Sequence, residues 1–350
     1  MSSVLLVTGG TGLIGGEVIL ALARDGHVVR AVVRAPTPEA AHARLFARLE
    51  KSAAYTPDLR ARIHALVGDT ATGSFGLAAP GRCSDLTAII HCAANTQFSE
   101  REDACVWNTN VNGATNLVSL ARAHAPDARI VFVSTASVTT APEGSCIDED
   151  TPFGGHANTY TLSKRKAEAI VSASGLDSVI LRPSIVLSRG VSDRAMARSI
   201  LWAVPIMGEL GEIPVEADAR IDIVPVDHVA SCIARIALKE LLHSRLYHVS
   251  AGRAAHTFGE LRREVIRQHP DMARIRPVGR HGVLSSRAQK RLLRPLNAYL
   301  PFINAGIGYS NDRLVAELGD TARPPGSVSY VPDLIGKITL EEAMSEMYVP

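Results

Sequence analysis

The chain has 350 residues, 46% of them hydrophobic, enough apolar material for one large α/β domain or two smaller ones, which excludes a largely disordered protein. Lysine and arginine number 37 against 35 acidic residues, so the overall charge gives no reason to expect nucleic acid or a membrane surface as partner. The five cysteines never form Cys-x-x-Cys and the histidines show no ligand spacing, so neither a disulfide framework nor a metal is expected, and a reducing, cytoplasmic setting fits.

The apolar start of the chain has no positively charged leader and is broken by glycines, so it reads as fold, not as a signal peptide. No apolar run approaches the roughly 18 residues of a membrane span. Val4–Val7 predicts a strand that runs into Thr8-Gly9-Gly10-Thr11-Gly12-Leu13-Ile14-Gly15, after which a helix is expected over Ile14–Arg24. In a strand–glycine loop–helix context, glycine permits a tight turn and close backbone approach, while free N–H groups and the helix dipole favour a pyrophosphate.

The next strand, Val28–Val33, ends at Arg34. About 20 residues beyond such a loop an NAD enzyme usually places Asp or Glu to receive the ribose 2′-hydroxyl. A guanidinium there would pair with a 2′-phosphate instead, and Arg44, on a helix expected over Glu39–Lys51, is placed to approach the same group, so NADP(H) is preferred. After the strand Ile63–Val67, Gly68-Asp69-Thr70 offers Asp69 to an adenine amino group, with an ordinary helix cap as the alternative. After Ala88–His91, the small side chains of Cys92-Ala93-Ala94 would let a cofactor approach the backbone; Cys92 itself reads as packing.

A helix over Glu102–His124 turns Val106, Gly113, Leu117 and Leu120 inward, and Asn110 interrupts that face. A buried polar group needs a partner or a function; capping a neighbouring backbone is the plain alternative. The strand Ile130–Val133 is followed by Ser134-Thr135-Ala136-Ser137, three hydroxyls at the edge where α/β ligands bind. On the helix Tyr160–Ser174, Tyr160 and Lys164 lie four apart on one face, where an ammonium would favour the phenolate and lower the tyrosine pKa. A last strand, Val179–Leu181, leads into Arg182-Pro183-Ser184-Ile185.

Strands alternating with helices predict an α/β, Rossmann-type doubly wound parallel sheet over residues 1–182. Residues 183–350 are broken by Pro205, Pro214 and Pro225 and predict a smaller mixed substrate lobe, separate or folded back against the sheet. Within it, Arg262–Arg294 carries ten basic residues against two acidic, a local excess suited to the phosphates of coenzyme A or an acidic carrier protein, or simply to solvent.

The ordered set Thr8–Gly15, Asn110-Val111-Asn112-Gly113, Val133–Ser137, Tyr160-Thr161-Leu162-Ser163-Lys164 and Arg182-Pro183-Ser184 resembles the motifs of extended short-chain dehydrogenases over roughly the first 240 residues. The resemblance implies Tyr160 as acid/base, Lys164 as its activator and ribose anchor, Asn110 as organiser of a water relay, and Pro183, Ser184 and Ile185 beside the nicotinamide. It implies Thr135 as carbonyl donor, ahead of Ser134 and Ser137, because Thr135 lies 25 positions before Tyr160 as in the sugar epimerase branch. That branch's Val-Tyr-Gly is absent: Val138 is followed by Thr139 and Thr140.

A narrower similarity is to the thioester reductase and male-sterility branch, which includes fatty acyl-CoA reductases. It rests on Val32-Val33-Arg34-Ala35 with Ala43-Arg44-Leu45, Gly68-Asp69 with Phe75-Gly76-Leu77, His91–Phe98 and Ile221-Asp222-Ile223-Val224-Pro225-Val226-Asp227. It implies NADPH-dependent reduction of a small-molecule or thioester-linked acyl carbonyl, with the acyl group on coenzyme A or a carrier protein, and no metal. The alternatives are an NADP-dependent ketone, alcohol or nucleotide-sugar oxidoreductase or epimerase and, in another class, a non-catalytic NADP-sensing protein. Homodimers are common in the family, although no feature of this sequence requires one.

Overall fold

The structure is a computed structural model and describes residues 2–79, 83–96, 103–155, 158–189, 203–282, 286–294, 296–297, 299–335, 339 and 341. Short runs rich in Val, Ile and Leu form the strands β1 (Val4–Thr8), β2 (Val28–Val33), β3 (Ile63–Val67), β4 (Ala88–His91), β5 (Arg129–Val133), β6 (Ser178–Pro183) and β7 (Leu246–Val249). They pair in parallel in the order β7-β6-β5-β4-β1-β2-β3. Leu5, Leu6 and Val7 are all fully buried, as a strand covered on both faces requires.

The helices are α1 (Leu13–Arg24), α2 (Pro38–Leu49), α3 (Asp103–Trp107), α4 (Gly113–His124), α5 (Thr159–Ser172), α6 (Ala203–Leu210), α7 (Val226–Leu238), α8 (Phe258–Gln268), α9 (Arg287–Leu293), α10 (Leu300–Ala305) and α11 (Asp312–Leu318). One core layer joins α1, α2 and α7 to the sheet through residues such as Ile19, Leu45 and Ile233; the opposite layer joins α4 and α5 through Leu117, Leu120 and Val171. Because β1 continues to β2 on one side while β4 lies on the other, the crevice at their carboxyl ends is the topological switch point where such sheets bind ligands.

Two elements differ from expectation. The helix expected over Glu102–His124 is divided: α3 and α4 are separated by a π-helical turn at Asn108–Asn112, and Glu102 lies outside the described residues. Such a turn accommodates one extra residue where a side chain demands it, and the buried Asn110 sits inside this one. The seventh strand was not expected, because polar His248 interrupts its apolar run; His248 is nevertheless buried. Beyond Pro183 the chain thus supplies both β7 and the sheet-covering α7, and then builds small paired strands, including Ile185–Leu187 with Ile223–Pro225.

The outer edge at β7 is fastened by one carboxylate. The Glu317 side chain on α11, 1% exposed, accepts hydrogen bonds from the Tyr247 hydroxyl (2.5 Å) and the His243 amide (2.9 Å), and pairs with Lys239 at 3.0 Å. Burial opposes its charge, but these donors outweigh burial and hold its pKa down to about 2. A carboxylate depressed on folding contributes stability that is present above its unfolded pKa and lost as pH falls through its folded one. The stability difference between wild type and Glu317→Gln, from urea unfolding, is therefore expected to be constant above about pH 4.5 and to shrink towards pH 2. A difference that grows on acidification would contradict this assignment.

Candidate active site

The site begins where β1 ends. Gly9 has φ +72°, and a Cβ added there would stand 2.6 Å from the Ala93 nitrogen; one added at Gly15 would stand 2.3 Å from the Gly9 carbonyl oxygen. The loop and the start of α1 therefore pack backbone against backbone, which no larger residue permits. Gly12 caps α1 without a side-chain hydrogen bond, and the first turn carries no acid, so the helix's leading N–H groups and positive dipole end face the crevice. Thr8 lies behind this surface: it is fully buried, accepts from the Ala93 amide (3.2 Å) and pairs with His91 Nδ1 at 3.0 Å. Its place is that of a brace beneath the loop.

At the end of β2, Arg34 and Arg44 are both exposed, and an Arg44 nitrogen donates to the Arg34 carbonyl at 2.7 Å, so the Arg44 guanidinium on helix α2 rests against the strand end that carries Arg34. Asp69 accepts from the Ala71 amide at 3.0 Å, closing the turn after β3, and Thr70 is buried with its carbonyl accepting from Asn116. Asp69 thus closes a local turn and caps no helix, since the short helical turn Gly73–Gly76 starts after Thr72. The same turn holds Ser74 and Phe75 at φ 48° and 55°, a left-handed strain offset by burying Phe75 against the His91 ring.

Tyr160 and Lys164 descend from the first turns of α5, whose start is fixed by a capping box between Asn158 and Thr161. Lys164 is 1% exposed; its ammonium donates to the Val133 carbonyl at 2.7 Å and lies 4.2 Å from the centre of the Phe132 ring. Burial lowers its pKa to about 8 in spite of the neighbouring Glu168 carboxylate. The expected lowering of the tyrosine pKa by this lysine is not what the structure gives. Burial raises the phenol above its ordinary value, and a hydrogen bond with Thr135 only partly offsets that, while the ammonium is engaged on Val133.

The three candidate hydroxyls separate clearly. Thr135 adjoins Tyr160, Ser134 is buried towards Glu168, and Ser137 is directed to Tyr309. Asn110 is a clamp. It accepts from the Asn95 amide at 2.8 Å and donates to the Asn95 carbonyl at 3.0 Å and to Ser163 at 2.8 Å; Ser163 in turn donates to the Tyr160 carbonyl at 2.7 Å. The loop after β4 and the start of α5 are thereby held in register; Gln97 and Phe98, farther along that loop, lie outside the described residues. Cys92 has its thiol pushed up to about 12 by burial, which suits packing and not nucleophilic chemistry. Pro183 is buried and ends β6, and Ser184 faces Asp222, a buried carboxyl that burial raises to about 6 although it accepts from the Ala251 amide at 2.8 Å.

Two residues escaped sequence reasoning. Glu168, on the same face of α5 four positions beyond Lys164, makes a buried two-pronged pair with Arg182 at 2.9 and 2.7 Å, and Arg165 adds a third bond. Repeating the four-residue step from Tyr160 through Lys164 would have pointed to it. His91 carried no such signal: it stacks on Phe132 with ring centres 5.6 Å apart, and burial together with Lys164 lowers its pKa to about 3, so it is neutral.

A switch-point crevice, an uncapped helix N-terminus over a glycine turn, and small residues opposite it are the features of a dinucleotide-binding fold of the Rossmann type, and the residues present fit a dinucleotide. The NAD-binding family model described as "Male sterility protein" matches residues 7–233, so the chain belongs to that family, whose fold is that of extended short-chain dehydrogenases. The chain is 30% identical over 250 residues to an isonitrile lipopeptide synthase of Streptomyces coeruleorubidus, covering 67% of this chain and 16% of the synthase. It is 30% identical over 209 residues to a 3-beta-hydroxysteroid dehydrogenase of Mycolicibacterium neoaurum, covering 56% of this chain and 50% of that one. The chain thus spans half or less of these two relatives. Among solved structures, the terminal R domain of the myxalamid PKS-NRPS pathway superimposes with a TM-score of 0.77 at 23% identity, over 99% of this chain and 92% of that domain. Among the described residues no His, Cys, Asp or Glu cluster could hold a metal, and no helix is long and apolar enough to cross a membrane.

Asn110→Ala is expected to destabilise the protein by about 1–3 kcal/mol, because it removes the bonds that the buried Asn110 side chain makes to Asn95 and Ser163, with the loss read as a lower urea midpoint; an unchanged midpoint would remove the clamp role. In lysine-labelled protein, one resonance is expected to titrate near pH 8 and to vanish in Lys164→Met. If every lysine titrated near about 10.4, the buried position assigned to Lys164 would be wrong.

Proposed function

We propose that the protein is an NADPH-dependent reductase of an activated acyl carbonyl, a thioester or the aldehyde derived from it. The observation that carries the reading is the meeting of Thr135 and Tyr160 at the carboxyl end of β5, with Lys164 buried behind them. When bound, reduced nicotinamide supplies the hydride. Thr135 and Tyr160 donate hydrogen bonds to the carbonyl oxygen as negative charge develops on it, and Tyr160, held protonated by burial, releases its proton to that oxygen. Loss of thiol from the resulting hemithioacetal leaves an aldehyde. Lys164 restores the tyrosine proton and holds the ribose. Asn110 fixes the backbone on which the tyrosine stands.

Arg34 and Arg44 favour NADPH by pairing with its 2′-phosphate. Gly9, Gly10, Thr11, Gly12, Leu13, Ile14 and Gly15 form the pyrophosphate cradle, Cys92, Ala93 and Ala94 the opposite wall, and Pro183, Ser184 and Ile185 the nicotinamide side. The similarity to the lipopeptide synthase and the R domain supports thioester chemistry, with a carrier protein or coenzyme A bearing the acyl group. A ketone or alcohol oxidoreductase is the second reading, favoured by the steroid dehydrogenase relative.

The deciding experiment follows NADPH and NADH oxidation with acyl-CoA thioesters, aldehydes and ketones. Thioester-dependent oxidation with aldehyde or alcohol product is expected, reduced by about 10²–10⁴-fold in Tyr160→Phe; turnover of ketones alone would select the second reading. Arg34→Ala/Arg44→Ala is expected to raise the KM for NADPH while leaving that for NADH nearly unchanged, and equal effects on both would remove the 2′-phosphate site.

A further inference from the structure

The substrate lobe encloses a cavity of about 150 Å³ that the catalytic residues do not line. One wall is the strand Ile185–Leu187, which starts two residues past Pro183 at the carboxyl end of β6; Ala203 and Met207 of α6, Leu261 of α8 and Ile303 of α10 close the others. The lining is almost wholly apolar: aliphatic side chains predominate, with Met207, Met272, Phe258 and Tyr299 among them. Arg262 contributes only its stem in effect, because its Nε donates to the Ile275 carbonyl (2.5 Å) and an Nη to the Ala273 carbonyl (2.9 Å).

We infer that this cavity receives the unbranched aliphatic tail of the acyl substrate. The inference rests on the thioester reading above and names its substrate class. A peptide segment would bring amides that find no partner on such walls, and burying them unpaired is costly. Protein interiors close up around voids, yet this one remains open and adjoins the chain segment that leaves the sheet at the nicotinamide side. An apolar cavity of this size stays dry and takes a ligand of about benzene's bulk, so it accommodates about five or six methylene carbons.

The test measures binding first and turnover second. By calorimetry, straight-chain 1-alkanols from four to ten carbons are expected to bind the wild type about fourfold more tightly per added methylene until the cavity is full, and kcat/KM for straight-chain acyl-CoA thioesters should climb the same ladder. Ala203→Phe, which fills the cavity, should flatten both ladders while leaving NADPH affinity unchanged. Ile303→Trp serves in the same way if Ala203→Phe fails to fold. Affinities independent of chain length, or ladders that survive both substitutions, would overturn the inference. An alkanol ladder without any thioester turnover would keep the tail site and defeat the thioester reading; thioester turnover without either ladder would do the reverse.

Discussion

The buried fork between Arg182 and Glu168 is the contact on which the site's geometry depends. Arg182 belongs to β6 and Glu168 to α5, so two charges that neither tolerates alone in the interior bind the helix carrying Tyr160 and Lys164 to the sheet. Burial alone would raise the Glu168 pKa; the two Arg182 bonds, with help from Ser134 and Arg165, hold it below the usual carboxylate range. Removing one partner of such a pair leaves an uncompensated buried charge, at a cost of about 3–5 kcal/mol. Its value here is placement. The ionised Glu168 also supplies the negative charge that keeps the Lys164 pKa from falling further.

Around that fork the site is arranged by desolvation. The Tyr160 phenol is raised, the Lys164 ammonium is lowered and His91 is kept neutral, all with burial as the leading cause. A phenol and an ammonium whose pKa values are drawn in opposite directions by the same burial are suited to passing a proton, since each is held nearer its neutral form. The aromatic stack of Phe75, His91 and Phe132 provides this dry setting, and Phe132 also gives the lysine a ring face to rest on.

The strain in the turn after β3 belongs to the same arrangement. Ser74 and Phe75 hold left-handed backbone conformations in the turn that seats the Phe75 ring beside His91, and the crowded approach of Gly68 to the Phe75 carbonyl leaves no room for a Cβ. Local conformational cost is thus offset by burial of a large side chain, a trade made repeatedly where α/β sheets expose their carboxyl edge.

The strands β1 to β6, the glycine loop and the Tyr160–Lys164 face were legible in the sequence because each is a local pattern: an apolar run, a spacing of glycines, a helical step of four. Local patterns report which residues share a face, and the fold class and family follow from their order. Tertiary structure alone decided what those residues meet. It divided the helix at Asn110 because that side chain caps a distant backbone, and it recruited β7 despite its polar His248. It turned Thr8 inward, and sent Lys164 to the Val133 carbonyl so that burial, not the ammonium, sets the tyrosine pKa. Desolvation and long-range hydrogen bonds depend on atoms brought together from across the chain, and no spacing along it encodes them.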